Sequence, residues 1–293
     1  VFFFWIILHP YDLSFQEQNQ LFLFTWDYFL ERISVCGGLA DYIAEFITQF
    51  NYVPYLGEAL MALLFVIFQI VTAASINRKE WYVLSFITPV MMLVYMNDIY
   101  VMLCYLIALI IAVSMCAFYR RRPGLLWAVI ATVLGYWLIG PAIFVFTLFA
   151  VLRERNWNSL ILVAVAVLTL VVSKWTYLQQ YPWKTLAFGV NYYRHALVVP
   201  PMQLVIAAAA VLVPAFSDLL PKPKTYVNAA LGLLIAAAGA FGCWLDYEKD
   251  VVEIIAYDQL VRQEDWDELL ERAEKYQPDS ELASVSVNLA LFM

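Results

Sequence analysis

LLWAVIATVLGYWLIGPAIFVFTLFAVL, residues 125–152, is the stretch on which the predicted fold depends. It runs for about 28 uncharged residues, whereas a helix that crosses a bilayer once needs about 20. Gly140-Pro141 lies at its centre, and such a pair marks either a tight turn between two short helices or a kink in one long helix. The two alternatives put every later loop on opposite sides of a membrane.

The distribution of positive charge favours the turn. With a hairpin at 140–141, four basic clusters fall on one side of the membrane: Arg78 with Lys79, Arg120 with Arg121 and Arg122, Arg153 with Arg155, and Lys222 with Lys224. The short loops on the other side hold only Arg32, Lys174, Lys184 and Arg194. Positive charge in short loops marks the cytoplasmic side. One kinked helix would reverse the later loops and weaken this asymmetry without abolishing it.

Composition supports a membrane bundle along most of the chain. Hydrophobic residues make up 64% of the 293 residues and charged residues 14%, against about 25% charged in soluble domains. Further spans are predicted at 56–76, 81–96, 99–118, 160–173, 196–216 and 226–244. The sequence therefore predicts an all-α, polytopic membrane helix bundle that starts in the cytoplasm and crosses the membrane nine times.

The two ends of the chain lie inside apolar or helical patterns, so we expect a fragment. Residues 1–8 are too short to cross a bilayer and are interpreted as the outer half of a truncated first span. A cleaved signal peptide is the alternative, but no small-residue cleavage site follows.

The predicted domains are a transmembrane bundle over 1–245 and a soluble helical segment over 246–293. Outer loops are expected at 9–55 and 174–195, which with the tail would lie in the periplasm if the chain sits in a bacterial inner membrane. The last two helical patterns of the tail resemble one tetratricopeptide-type hairpin. One such unit cannot bury its own face, so we expect further repeats and a protein partner bound through them.

The first outer loop is predicted to hold two helices that lie along the membrane surface. Apolar residues recur at spacings of three and four over 27–33 and 39–50, and polar residues occupy the other side of the second segment. Gly37-Gly38 separates the two segments and permits a sharp turn.

Acidic residues at the predicted outer boundary are candidate functional groups. Asp12 and Glu17 follow the first span closely, and Asp98 lies in the very short loop Asn97-Asp98. Carboxylates at this depth are poorly solvated, so they can have raised pKa values or bind a metal. The structural alternative is an acid that marks a helix end: Asp98 would cap the next span, and Asp41 fits an N-terminal helix position.

This arrangement resembles the GT-C fold of integral-membrane glycosyltransferases, which take a sugar from a polyprenyl-phosphate carrier. The resemblance implies a catalytic acid after the first span, which matches Asp12 with Glu17 as its rival, and a further acid at Asp98. Asp98 lacks the Asp-x-Asp or Glu-x-Asp pairing of metal-using members, so a divalent metal cofactor is left open.

The resemblance also implies groups that bind phosphate and sugar in the second outer loop. Lys174, Lys184, Arg194 and His195 are candidates to stabilise the departing phosphate. Trp175, Tyr181, Trp183 and Tyr192 are candidate substrate contacts. The structural alternatives are cations that snorkel from helix ends and an aromatic belt at the interface.

Three segments also resemble a family of Bacteroidota multi-span membrane proteins of unknown function with a helical tail. They are Gln-Glu-Gln-Asn-Gln-Leu-Phe at 16–22, Gly-Gly-Leu-Ala-Asp-Tyr at 37–42 and Phe-Ile-Thr-Gln-Phe at 46–50. The resemblance covers nearly the whole chain, and its motifs carry no established chemistry.

Two functional hypotheses follow. The first is a glycosyltransferase acting on periplasmic glycan or protein, in which Asp12 and Asp98 converge on one outward-facing cavity. The second is a non-catalytic scaffold of envelope assembly that recruits partners through its tail. A transporter is disfavoured because no predicted span has a charged residue in its interior. The net charge of −7 argues against nucleic acid as a partner. The expected partner is the lipid bilayer.

Overall fold

The computed structural model describes residues 1–154, 157–189, 191–195, 197–275, 278 and 280–293. Within this part of the chain all regular structure is helical, apart from one isolated bridge between Val101 and Tyr193. The all-α prediction is therefore confirmed. Arg155, which belongs to one predicted basic cluster, lies outside the described residues.

The helices are numbered in chain order. They are α1 (Phe2–Leu8), α2 (Asp12–Gln18), α3 (Trp26–Ile33), α4 (Gly38–Thr48), α5 (Leu56–Ser75), α6 (Ile87–Tyr95), α7 (Leu103–Arg121), α8 (Leu125–Ile139), α9 (Ile143–Glu154), α10 (Trp157–Thr176), α11 (Trp183–Phe188), α12 (Pro201–Ser217), α13 (Thr225–Leu245), α14 (Lys249–Gln263), α15 (Trp266–Lys275) and α16 (Glu281–Phe292). Short 3-10 helices span Gln49–Tyr52, Lys79–Phe86 and Gly140–Ala142.

The chain forms two compact units. The first unit comprises Val1–Leu21, Ile47–Ala62 and Asp246–Met293, and the second comprises Phe22–Phe46 and Leu63–Leu245. One boundary falls where the sequence analysis divides the chain, although the first unit also takes in residues near the start. Whether the tail is a separate soluble domain stays a prediction.

The core of the first unit is built by the tail helices α14, α15 and α16. Its buried side chains are Tyr257, Leu260, Leu269, Ala283 and Ala290. Tyr11 packs against the same core, and the Gln18 amide donates a 2.8 Å hydrogen bond to Gln259. The segment around α2 therefore belongs with the tail helices.

In the second unit, residues 125–152 fold back on themselves as a hairpin. The hydroxyls of Thr132 and Thr147 are 2.9 Å apart. One continuous helix would separate residues fifteen positions apart by about 22 Å. A Cβ on Gly135 would lie 2.5 Å from Ile143 Cδ1, so glycine permits the close approach of α8 and α9. The predicted hairpin is confirmed.

The hairpin brings the basic loops of the second unit to one end, here called the basic end. Arg78 donates to the Leu220 carbonyl at 2.5 Å, and Arg120 pairs with Asp218 at 2.8 Å. Arg153 in turn donates to the Arg120 carbonyl at 3.3 Å. The ends of α5, α7, α9 and α12 therefore lie together, as the charge pattern requires.

The opposite end of the second unit is called the carboxylate end, because it holds Asp41 and Asp98. There the amide of Gly37 donates to the Trp137 carbonyl at 2.8 Å, and Asn97 donates to the Cys243 carbonyl at 3.2 Å. The second unit thus carries Arg78, Arg120 and Arg153 at one end and Asp41 and Asp98 at the other.

Five stretches are apolar and long enough to cross a membrane by length and composition: Leu56–Ser75, Leu103–Arg121, Leu125–Glu154, Trp157–Thr176 and Thr225–Leu245. The third of these, Leu125–Glu154, is not one straight helix but the hairpin of α8 and α9. Only 11% of the most apolar window is buried in α10, and the same share in α13. Apolar faces this exposed are stable in hydrocarbon rather than in water. These stretches indicate a membrane protein, while nine crossings and the direction of insertion stay predictions.

Three predicted spans differ from the helices observed. Residues 81–96 form a 3-10 helix followed by the short α6, with a non-helical Trp81 at the break. The span predicted from 99 starts only at Leu103, because the preceding backbone pairs with Tyr193. Helix α12 starts at Pro201, where a proline at the first helical position needs no N–H partner.

Gly140→Ala is expected to destabilise the protein by about 1–3 kcal/mol, the usual cost of a backbone conformation that only glycine adopts readily. Gly140 has φ +69, and a Cβ there would lie 2.9 Å from the Tyr192 hydroxyl. Gly124→Ala is the matched control, since Gly124 is extended and a Cβ there meets no atom within 4 Å. Thermal unfolding in detergent measures both variants; equal midpoints would contradict the strained turn.

Candidate functional site

Residues 191–193 organise the carboxylate end of the second unit. Tyr193 forms an antiparallel bridge with Val101, and the Met102 amide donates to the Tyr192 carbonyl at 3.1 Å. The Arg194 amide donates to the Tyr100 carbonyl at 2.9 Å. These bonds fix the segment predicted as the second outer loop against the start of α7. Each of the three residues then makes a different contact.

Asn191 holds the carboxylate of Asp41. Its side-chain amide donates a 2.6 Å hydrogen bond to Asp41 Oδ2, and the Cys104 thiol is a second partner of this carboxylate. Burial raises the pKa of Asp41 to about 7, although these two hydrogen bonds oppose the shift. Asp41 keeps some exposed surface. Asp41 is therefore a largely buried carboxyl group whose pKa burial raises toward neutrality.

An ion pair lies beside Asp41. Arg32 and Glu45 are 2.8 Å apart, and the Tyr28 hydroxyl donates to Glu45 at 2.6 Å. The cluster of Asp41, Glu45 and Arg32 has two carboxylates and one guanidinium, so protonation of Asp41 leaves it neutral. These contacts also join α3 to α4, the two helices predicted in the first outer loop.

Tyr193 holds the carboxylate of Asp98. The Tyr193 hydroxyl donates to Asp98 Oδ2 at 3.0 Å, and the Tyr100 amide donates to Asp98 Oδ1 at 2.8 Å. Asp98 thus closes the turn before α7, whereas Met102 is the N-cap residue of α7 itself. The prediction that Asp98 caps this helix was therefore wrong, because the intervening residues pair with the second outer loop.

Two of the predicted phosphate-binding residues lie next to this turn. The His195 ring is 4.4 Å from the Tyr100 ring and 5.7 Å from the Tyr193 ring, measured between centroids. Arg194 is exposed and bonds the turn through its backbone. Asp98, Arg194 and His195, predicted from two separate loops, are thus brought together.

Tyr192 lies between these two neighbours and points into the bundle. Its side chain is 2% exposed, and its hydroxyl donates to the Ile139 carbonyl and accepts from the Ala142 amide at 3.0 Å. It therefore holds the hairpin turn. Its predicted contact with substrate stays a prediction, and the contacts described are with the protein.

Tyr192 also lines an apolar cavity of about 650 Å³ between α9, α10 and α12. Other lining residues are Pro141, Leu148, Leu152, Val163, Val167, Gln203, Ala207 and Leu212. Leu148, Val167 and Leu212 are 52%, 55% and 45% exposed, so the cavity opens sideways, toward hydrocarbon if the helices cross a membrane. A long alkyl or isoprenoid chain fits such a lining.

Asp12 and Glu17 belong to the first unit. Asp12 is 1% exposed, and its Oδ2 lies 2.6 Å from His9 Nδ1, while its Oδ1 has no hydrogen-bond partner among the described residues. Burial raises the pKa of Glu17. Because Asp98 belongs to the second unit, the convergence of Asp12 with Asp98 stays a prediction.

The remaining predicted residues lie in the second outer loop. The Lys174 ammonium donates to the carbonyls of Gln179 and Tyr181 at 2.6 and 2.7 Å, so it stabilises its own loop. Lys184, Trp175 and Trp183 are exposed, and Tyr181 is half-buried. No group of three metal-ligating side chains occurs within the described ranges.

Sequence reasoning missed Asp41 as a functional candidate. Helix α4 buries Ala40 and Ala44 and leaves Phe46 partly exposed, so its small and polar side faces the bundle. An amphipathic pattern does not say which of its faces meets protein. The sequence signal that could have identified Asp41 was the pair Asp41 and Glu45 on one face of a helix that follows Arg32.

A family model described as a family of unknown function, DUF6057, matches residues 1–293. The chain therefore belongs to this family. Comparisons with curated proteins and with solved structures gave no match.

Asp41→Asn is expected to flatten the dependence of stability on pH between about pH 4 and pH 7. The folded protein keeps a proton on Asp41 that the unfolded chain, with a pKa of 3.8, releases. Wild-type stability should therefore fall as pH rises through this window and level off above the folded pKa.

Unfolding midpoints in detergent from pH 4 to pH 8 measure this effect. Asp27→Asn is the control, because Asp27 is exposed and its variant should keep the wild-type slope. Identical slopes for wild type and Asp41→Asn would contradict the raised pKa.

Proposed function

We propose that this member of a family of unknown function is a membrane glycosyltransferase-like protein. It would transfer a sugar from a polyprenyl-phosphate carrier to a glycan or protein acceptor on the outer side of a bacterial inner membrane. One observation carries the proposal: three consecutive residues, Asn191, Tyr192 and Tyr193, contact respectively a carboxylate, an apolar cavity and a second carboxylate. Reactive polar groups and room for a lipid chain are thus adjacent.

The apolar cavity is the proposed place of the isoprenoid chain. Its lining is almost entirely hydrocarbon, and it runs beside α9 from Ala142 near the carboxylate end toward Leu152. A carrier lying along it would bring its phosphate to the carboxylate end. The sugar would then meet polar residues and water while the chain stays in lipid.

Asp41 is the proposed general base. Glycosyl transfer needs a group that takes the proton of the acceptor hydroxyl as that oxygen attacks the anomeric carbon and the bond to the phosphate oxygen breaks. A carboxyl group with a pKa of about 7 accepts a proton more readily than one near 4, and about half of it is ionised at neutral pH. Asp12 and Glu17 remain the alternatives implied by the family resemblance.

Arg194 and His195 are the proposed partners of the departing phosphate. Both are exposed beside the turn that Asp98 closes. A guanidinium can contact two phosphate oxygens at once, which favours charge leaving with the phosphate. Asp98 would act through Tyr193, by fixing the backbone that carries both cations.

A second candidate function is the non-catalytic scaffold, and one observation in the first unit favours it. Helix α16 buries its small residues Ala283 and Ala290, while Leu282, Val285, Leu289 and Phe292 are exposed. Large apolar side chains on an outer face are typical of protein contact sites. This face would recruit a partner independently of any chemistry at Asp41.

Asp41→Asn is expected to abolish transfer in the native host while the protein still folds, because the amide resembles the protonated carboxyl. The measurement is the mass-spectrometric profile of envelope glycans in a deletion strain complemented with each variant. Asp27→Asn should restore the wild-type profile. Restoration by Asp41→Asn would exclude Asp41 as the base, and a deletion strain with unchanged glycans would favour the scaffold.

Leu148→Trp is expected to weaken binding of polyprenyl phosphate by filling the cavity. Leu134→Trp is the matched control, since Leu134 is 56% exposed on α8 and does not line the cavity. Titration of each purified variant with a polyprenyl phosphate compares their affinities. Equal affinity for both variants would show that the carrier does not lie in this cavity.

A further inference from the structure

A second pocket, of about 380 Å³, lies at the basic end of the second unit, away from the proposed active site. Its charged lining comes from Arg120 on α7, Arg153 on α9 and Asp218 after α12. Phe149 and Leu152 add apolar surface. The transfer reaction proposed above has no use for this pocket.

Arg120 is built into the wall of this pocket. Its side chain is 7% exposed and lies over the Phe149 ring, with the guanidinium carbon 5.4 Å from the ring centroid. Its terminal nitrogens donate to Asp218 Oδ2 and to the Pro214 carbonyl, both at 2.8 Å. The guanidinium is therefore positioned by protein contacts rather than merely solvated.

Two buried polar atoms of the pocket are left unsatisfied. Arg120 Nε and Asp218 Oδ1 have no hydrogen-bond partner among the described residues. Buried polar atoms without partners cost folding free energy, and they are rare in proteins unless something else satisfies them. A ligand that accepts a hydrogen bond from the guanidinium and donates one to the carboxylate would match these two groups.

The charge of the pocket narrows the chemical class of ligand that it can bind. Two guanidiniums and one carboxylate leave a net positive charge, which favours an anion, and arginine suits phosphate oxygens. The Asp218 carboxylate, whose side chain is 35% exposed, favours a donor on the same ligand, such as an ammonium or hydroxyl group. A phosphodiester that carries an amino or hydroxyl group meets both requirements.

Leu152 lines both this pocket and the apolar cavity, at the end of the cavity that lies away from Ala142. A molecule seated at Arg120 can therefore extend an alkyl chain along hydrocarbon without leaving the protein surface. Free phosphate or a soluble phosphodiester would not use this continuity.

We propose that the pocket formed by Arg120, Arg153 and Asp218 binds the headgroup of a phospholipid that has a hydrogen-bond donor, such as phosphatidylethanolamine. The phosphate contacts the two arginines, the donor contacts the Asp218 carboxylate, and an acyl chain packs against Leu152, which lines the pocket. The assignment does not depend on glycosyl transfer at the other end of the unit.

Native mass spectrometry of the delipidated protein in detergent tests the assignment with two lipids of identical acyl chains. Phosphatidylethanolamine should bind at least about tenfold more tightly than phosphatidylcholine, whose quaternary ammonium cannot donate, because a hydrogen bond to a charged group is at stake. Inorganic phosphate should not displace the bound lipid. Equal affinity for the two lipids, or displacement by phosphate alone, would overturn the proposal.

Variants separate the two parts of the headgroup site. Asp218→Asn should reduce the preference for phosphatidylethanolamine while binding of both lipids persists. Arg120→Gln and the milder Arg153→Gln should weaken both lipids, with thermal unfolding as the check on folding. Arg121→Gln is the matched control, because Arg121 is exposed on the same turn and does not line the pocket. A loss of binding in Arg121→Gln as large as in Arg153→Gln would indicate general charge attraction and contradict a built site.

Discussion

The turn at Gly140-Pro141 is the constraint on which the second unit depends. Because the chain reverses there, α8 and α9 both have their other ends among the arginines, and Thr132 meets Thr147 inside the bundle. The turn is held by the hydroxyl of Tyr192, which contacts both sides of it. The residues on either side of Tyr192 hold Asp41 and Asp98, so the turn and the carboxylates are positioned by one short segment.

The same contacts explain how the fold accommodates the largely buried carboxyl group of Asp41. Burial makes the charged form of Asp41 costly, yet Asn191, Cys104 and Arg32 supply enough compensation to keep the pKa near 7. The group is therefore poised between its two protonation states. We propose that Asp41 uses its two protonation states for proton transfer at one end of the unit. At the other end, Arg120 and Asp218 bind the headgroup of a lipid.

Charge and hydropathy were enough to predict the helical bundle, the hairpin and the common end of the basic loops, because each follows from keeping peptide groups satisfied and arginines out of hydrocarbon. The candidate site is harder to predict from the sequence than the fold. The sequence predicts Asp98 as a candidate from its place in a short loop, but the bond of Asp98 to Tyr193 depends on a pairing between distant segments. The sequence predicts Asp41 as a helix-end residue, since no local pattern shows that the polar side of α4 faces protein.

The proposed function requires that the carboxylate end faces outward and the basic end faces the cytosol. Single cysteines at Lys184 and Arg121, both exposed, test it in a Cys243→Ser background that leaves only buried native thiols. In intact cells a membrane-impermeant maleimide should label Lys184→Cys directly and Arg121→Cys only after permeabilisation. Labelling of Arg121→Cys in intact cells, or of both sites alike, would contradict the account.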